Sequence, residues 1–261
     1  MKVVIKDVEL VGASFKGSYL AGAKIVECNL REVDFSQCDL TSADLCANNF
    51  DDANLSQSDF EDSDLRDCSM MNVDMTGSNF EGANLNGLNL MSAIIEFTNF
   101  GRASLKKVDL CRLNLNHIDL SGSNLKKADC TGADFTGASI TDACLDKADF
   151  SKTLLKDCSF DGSSMQGIIL AYASMSGLTL SDINMKKADL SNASLVDVDM
   201  TYANLKGADF SNADLNRVDF TGANLKDAIF DGAKFNEINL DEANVDGISA
   251  ELLSKMKLCR S

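Results

Sequence analysis

The sequence predicts a single solenoid built from five-residue units, and three observations carry that prediction. From Ile5 to Val245, every residue whose number is a multiple of five is Leu, Phe, Ile, Met, Val or, once, Cys130. The positions two earlier hold only Ala, Ser, Thr, Cys, Val, Leu or Ile, with Asn48 as the single exception. Of the charged residues, only Lys255 and Arg260 fall on either set, and both lie after the repeat has ended. A period of five is neither the helical 3.6 nor the strand 2.0, so it marks a repeat architecture with a defined inside and outside.

The clearest stretch is Thr201–Phe230, where Leu205, Phe210, Leu215, Phe220, Leu225 and Phe230 alternate in size on every fifth position. No insertion breaks the frame over the chain of 261 residues, which argues for one repeat domain rather than two globules. Proline is absent, as suits a backbone whose N–H groups are needed in ladders. Tryptophan is absent too, consistent with a narrow core. Of the 17 glycines, all but Gly101 stand two residues after a central residue, which marks that position as a corner.

Units such as Ala203-Asn204-Leu205 and Ala208-Asp209-Phe210 make the chain similar to the pentapeptide repeat proteins, with A(D/N)LXX units from about Val3 to Ile248. The resemblance implies an all-β solenoid: a right-handed quadrilateral parallel β-helix, about twelve coils of four pentapeptides, with a short C-terminal α-helix as cap. One feature supports a twenty-residue coil independently. Lys6, Arg66, Lys106, Lys126, Lys186, Lys206 and Lys226 occupy the same place in a twenty-residue frame.

The elements follow in order. The N-terminus, MKVVIKDVEL, enters the register almost at once, leaving no room for a signal peptide. The repeat domain is expected over 1–248, with residues 249–261 as a capping helix and tail. In that tail Ser249 is the expected N-cap, and Leu252, Leu253 and Met256 form one apolar stripe to cover the last coil. Lys255, Lys257 and Arg260 suit the helix C-terminus. The gyrase-protecting members of the family imply a further role for the stripe, a homodimer contact at the C-terminal end.

The nine cysteines have no disulfide or metal spacing. Cys28, Cys38, Cys68, Cys130 and Cys158 read as inward small hydrophobes, Cys46, Cys111 and Cys144 point outward, and Cys259 lies in the tail. An odd count without a leader argues for reduced thiols in a cytoplasm. No cofactor, metal or membrane segment is expected. Catalysis is not expected either. The single histidine, His117, sits on an outward corner one coil beyond Phe97, and no nucleophile elbow accompanies it. No glycine run leads into a helix to cradle phosphate.

The remaining information is on the surface, where charge is uneven. Residues 27–100 hold 15 acids against two bases, whereas residues 1–26 have a small basic excess. Within the acidic part, Asp39, Asp44, Asp59, Glu61, Asp62, Asp64, Asp67 and Glu81 belong to two adjacent faces of a twenty-residue coil. Stacked pairs such as Asp39 and Asp59 repel by roughly 1 kcal/mol at about 5 Å in water. Carboxylates along a narrow rod can imitate phosphates and occupy the basic DNA groove of a protein. The family resemblance directs this toward DNA gyrase and other type II topoisomerases, with protection from quinolones. The plainer account is that the acids keep a rod soluble.

Two further surface features compete with that reading. Lys106, Lys107, Lys126, Lys127, Lys147, Lys186, Lys187, Lys206 and Lys226 form a basic stripe beside Asp109, Asp129, Asp149, Asp189 and Asp209. The expectation is a self-neutralising ladder of paired charges rather than direct nucleic-acid binding. Met91, Ile94 and Phe97, and in the uncharged stretch 162–181 Ile169 and Tyr172, take outward positions although apolar. They are the docking residues for the alternative function, a structural or regulatory scaffold or effector with no topoisomerase link.

Overall fold

The computed structural model describes residues 3–258. Its backbone winds in coils of twenty residues, for every parallel bridge joins two residues twenty apart, from Glu9–Asn29 to Asn224–Asn244. Four columns of bridges run along the molecule, through Asp44, Asn49, Asp34 and Asp39, so each coil has four sides and four corners. Between coils, Leu30 N–H donates to the Asn49 carbonyl (2.8 Å) and Asn49 N–H donates to the Cys28 carbonyl (3.0 Å). Where bridging extends, short strands form. β1 (Val4–Lys6) pairs with β2 (Lys24–Val26). Near the other end, β3 (Ser174–Ser176), β4 (Ser194–Val196), β5 (Asp214–Asn216) and β6 (Lys234–Asn236) make a parallel sheet. About twelve coils at the inter-strand spacing of roughly 4.8 Å give a rod about 58 Å long.

Most corners are β-turns. Ala13 N–H donates back to the Leu10 carbonyl (3.0 Å), and the turn's third residue, Gly12, has a φ of 67°. That combination is the signature of a type II turn, which explains the glycine preference. At Gly222 the need is double: φ is 66°, and a Cβ would come within 2.5 Å of the Tyr202 ring of the preceding coil. Among the described corners from Asp7 to Gly247, Ser92 alone lacks a positive φ.

The residue before each central side chain has its own task. Asp39 Oδ1 accepts from Thr41 N–H (3.1 Å), Asp149 Oδ1 from Ser151 N–H (2.9 Å) and Asp219 Oδ1 from Thr221 N–H (2.8 Å). An Asp or Asn here caps the turn that follows, the physical reason for the D/N in the repeat.

Inside, the central side chains stack coil on coil. Phe60 lies on Phe80 with ring centroids 4.6 Å apart, and Phe210 on Phe230 at 4.8 Å. Most of the small residues two positions earlier are buried with them, and several of the polar ones donate to carbonyls in the preceding coil. Ser58 Oγ donates to Phe35 O, Ser78 Oγ to Leu55 O and Thr98 Oγ1 to Met75 O (2.6, 2.6 and 2.8 Å). Asn48, the exception to the small-residue rule, is buried and satisfied. Its Nδ2 donates to Ile25 O and Leu45 O, and its Oδ1 accepts from Cys28 N–H.

The chain ends in α1 (Ala250–Leu258). Ser249 caps it as expected, with Oγ accepting from Leu252 N–H (3.3 Å). Met256 is fully buried, and Leu252 and Leu253 pack half-buried on the core, so this stripe lies down over the last coil. Lys255 pairs with Glu251 within the helix. The Lys257 side chain, Cys259 and Arg260 lie outside the described residues. No helix among the described residues is long and apolar enough to cross a membrane.

Candidate functional site

The twenty-residue register brings the eight acidic residues together. Asp39 bridges to Asp59 and Asp44 to Asp64, while Glu61 and Glu81 stand one coil apart at the corner between those two sides. The ribbon divides by partner. Asp44 is ion-paired to Lys24 (2.7 Å), Asp64 to Arg66 (2.7 Å), and Glu81 to Arg102. The Lys24 ammonium hydrogen-bonded to Asp44 holds that carboxyl below its ordinary value, and the Arg66 guanidinium does the same for Asp64. Asp39, Asp59, Glu61, Asp62 and Asp67 have no cation within 4.0 Å among the described residues. These five form the uncompensated part of the ribbon.

The lysine stripe corrects the sequence-based expectation. Of its nine lysines only Lys226 is in an ion pair, with Asp246 (3.5 Å), among the described residues. The neighbouring aspartates form no ion pair with it, and each accepts from its own turn. Asp109 accepts from Cys111 N–H, Asp129 from Thr131 N–H, Asp189 from Ser191 N–H and Asp209 from Ser211 N–H, all at 2.8–3.0 Å. Apart from Lys226, the stripe is a row of cations without ion-pair partners among the described residues.

The apolar docking residues separate. Phe97 is 88% exposed, on a left-handed backbone (φ 58°) where sixteen other corners have glycine. Met91 and Ile94 are about half exposed, and Met71, missed from the sequence, adds to them one coil earlier on the Met91 corner. A spacing of twenty from Met91 is the signal that marks it. The ladder is open beside this strip: no bridge joins Ser69 to Asn89 or Ile94 to Asn114. Below the second gap a cleft of about 220 Å³ runs between Ile95, Phe97, Asn114, His117 and Ile118. Tyr172 is exposed but stands alone. Ile169 is half-buried, contrary to expectation, because it sits within a ladder side between Asp149 and Asp189.

Among the described residues, one group of three potential ligands, Asp109, Cys111 and Asp129, has its donor atoms within 4.8 Å of one another. Burial and the adjacent carboxylates push the Cys111 thiol up to about 12, and both carboxylates already accept turn N–H groups. Cys46, between Asp44 and Asp64, is likewise pushed up to about 12, first by burial. Such thiols stay protonated and make poor nucleophiles.

Comparison with known proteins agrees with this architecture. The family profile described as pentapeptide repeats matches residues 5–37 and, in overlapping segments, 103–247. A second, described as a pentapeptide repeat region, matches 46–120. No curated protein matches the chain. Among solved structures, the chain is similar to HetL, a pentapeptide repeat protein involved in heterocyst differentiation regulation from the cyanobacterium Nostoc sp. The identity is 25%, over 93% of this chain and 86% of that one, with a TM-score of 0.43. It is also similar to QnrB1, a plasmid-mediated fluoroquinolone resistance protein, at 18% identity over 99% of both chains (TM-score 0.35). A third, from the thylakoid lumen of Arabidopsis thaliana, is 21% identical over 49% of this chain and 77% of that one (TM-score 0.33). With profile matches over most of its length and coils defined by parallel bridges twenty residues apart, the chain belongs to the pentapeptide repeat family.

Proposed function

We propose that the protein is a non-catalytic binding rod whose acidic ribbon occupies the DNA-binding groove of a DNA-handling enzyme. The observation that carries this reading is the uncompensated set Asp39, Asp59, Glu61, Asp62 and Asp67, aligned along the rod by its coils. Folding does not require these charges to cluster, since turn capping is served equally by Asn at Asn79 or Asn99. A rigid row of carboxylates presents to a basic groove the charge that a phosphate backbone presents, without the cost of ordering a flexible chain. Family membership makes type II topoisomerases, and DNA gyrase among them, the partner to test first, with protection from quinolones as the outcome.

The test is gyrase supercoiling with and without a quinolone. Wild-type protein is expected to change supercoiling or rescue it from the drug. Replacing Asp39 and Asp59 by Asn, which keeps their turn caps, and Glu61, Asp62 and Asp67 by Lys is expected to abolish the effect at an unchanged melting temperature. An effect that survives these replacements, or no effect from wild type, would remove this reading.

A second reading rests on a separate observation, the strip Met71, Met91, Ile94 and Phe97 beside two ladder gaps. Holding an exposed phenylalanine in a left-handed corner costs conformational energy that glycine avoids. A scaffold or effector that docks a protein on this strip would lose its partner on Phe97→Asp and be indifferent to the ribbon.

A further inference from the structure

We propose that the lysine corner is a docking surface for a second copy of this chain, whose acidic ribbon it receives. Lys106, Lys107, Lys126, Lys127 and Lys147 occupy three successive coils, are exposed, and have no carboxylate within ion-pair distance among the described residues. Stacked at about 4.8 Å they repel one another by roughly 1 kcal/mol per step in water. The aspartates on the next side, and Asp146, which continues the Lys106–Lys126 column, accept from turn and side-chain donors and form no ion pair with these lysines. The chain therefore presents an unbalanced row of cations and, nearer its N-terminus, the unbalanced row of anions described above.

The two rows have the same axial spacing, because both are set by the same coil. When two such rods lie side by side, a lysine matched to a carboxylate in one coil places the next lysine opposite the next carboxylate. That commensurate fit favours a copy of this rod over nucleic acid. Duplex DNA advances about 3.4 Å per base pair, out of step with the coil, and no aromatic side chain stands among these lysines to stack single-stranded bases. Both rods are acidic overall, but at about 0.1 M salt the screening length is about 10 Å, so distant repulsion is damped while contacts at 3–4 Å persist. The contact sets the lysine corner of one copy against the ribbon of another; it closes as a two-fold dimer where both rows engage at once and repeats from copy to copy where one does.

Sedimentation or light scattering of the full chain tests this at about 0.1 M and 0.5 M NaCl. In the lower salt the average mass is expected to rise with concentration to at least twice the monomer; in the higher it returns to monomer. A variant with Lys106, Lys107, Lys126, Lys127 and Lys147→Glu is expected to be monomeric. So is one with Asp39, Asp59, Glu61 and Asp62→Lys, and an equal mixture of the two regains association. A wild type that stays monomeric in both salts overturns the proposal, as does association that both reversals leave intact. A third outcome also overturns it: retention of duplex DNA by monomeric wild type, lost with the lysine reversal, which assigns the corner to nucleic acid. No topoisomerase enters this experiment, so its result is independent of the supercoiling assay.

Discussion

At the scale of single residues, the repeat separates positions that tolerate exchange from positions that do not. Asn48 is a buried polar residue in a column of small side chains, and its three hydrogen bonds tie together backbone of two coils. Asn48→Ala strands a buried amide and two carbonyls, and we expect a loss of about 1–3 kcal/mol in urea unfolding. Phe97 is the opposite case. Its ring buries nothing and its φ is positive, so Phe97→Gly is expected to leave stability unchanged or raise it by up to about 1 kcal/mol. A large loss on that change would show that the ring supports the fold. The ion-paired acids set a pH response. Asp44 and Asp64 titrate below the ordinary carboxylate value in the fold, so the stability they contribute is complete above about pH 4 and is lost as pH falls through their folded values. The melting-temperature difference between wild type and Asp44→Asn is therefore expected to be small at pH 7, since the pair is half exposed, and to disappear only below the lowered folded value of Asp44.

At the scale of elements, stability comes from stacking between coils. Phe80 is sandwiched between Phe60 and Phe100 and has no exposed surface. Phe80→Ala should cost about 3–5 kcal/mol, because flanking coils fixed by their own ladders cannot collapse into the cavity. The C-terminal helix acts differently. Met256→Asp places a charge where α1 meets the last coil, and hydrogen exchange is expected to show lost protection over residues 240–248 while earlier coils stay protected. Uniform loss along the chain would mean that the rod unfolds as one unit. The helix was legible in the sequence through Ser249 and the Leu252, Leu253, Met256 stripe. That the stripe is spent on the molecule's own core, with Met256 fully buried, depended on how the helix folds back.

At the scale of the whole molecule, the rod is additive. Removal of one complete coil, residues 182–201, keeps every column aligned, and small-angle scattering should show a folded rod shorter by about 5 Å. Removal of five residues preserves inside and outside but turns all later columns by one side, which would move the lysine corner out of line with Arg66 and Lys6. The sequence by itself determined the inside and the outside, since burial follows the five-residue period whatever the coil does around it. It also placed the acidic ribbon, because a twenty-residue step is enough to say which carboxylates stack. Only the tertiary structure decided which charges are compensated. Ion pairing depends on where a side chain is held: Asp44 and Asp64 cap turns and still reach a cation, whereas Asp109, Asp129 and Asp149 cap theirs and pair with none of the lysines beside them. The ladder gaps beside Phe97 were likewise invisible in the repeat, because the frame of central residues runs through Ile95 and Leu115 unbroken while the rung between Ile94 and Asn114 is missing.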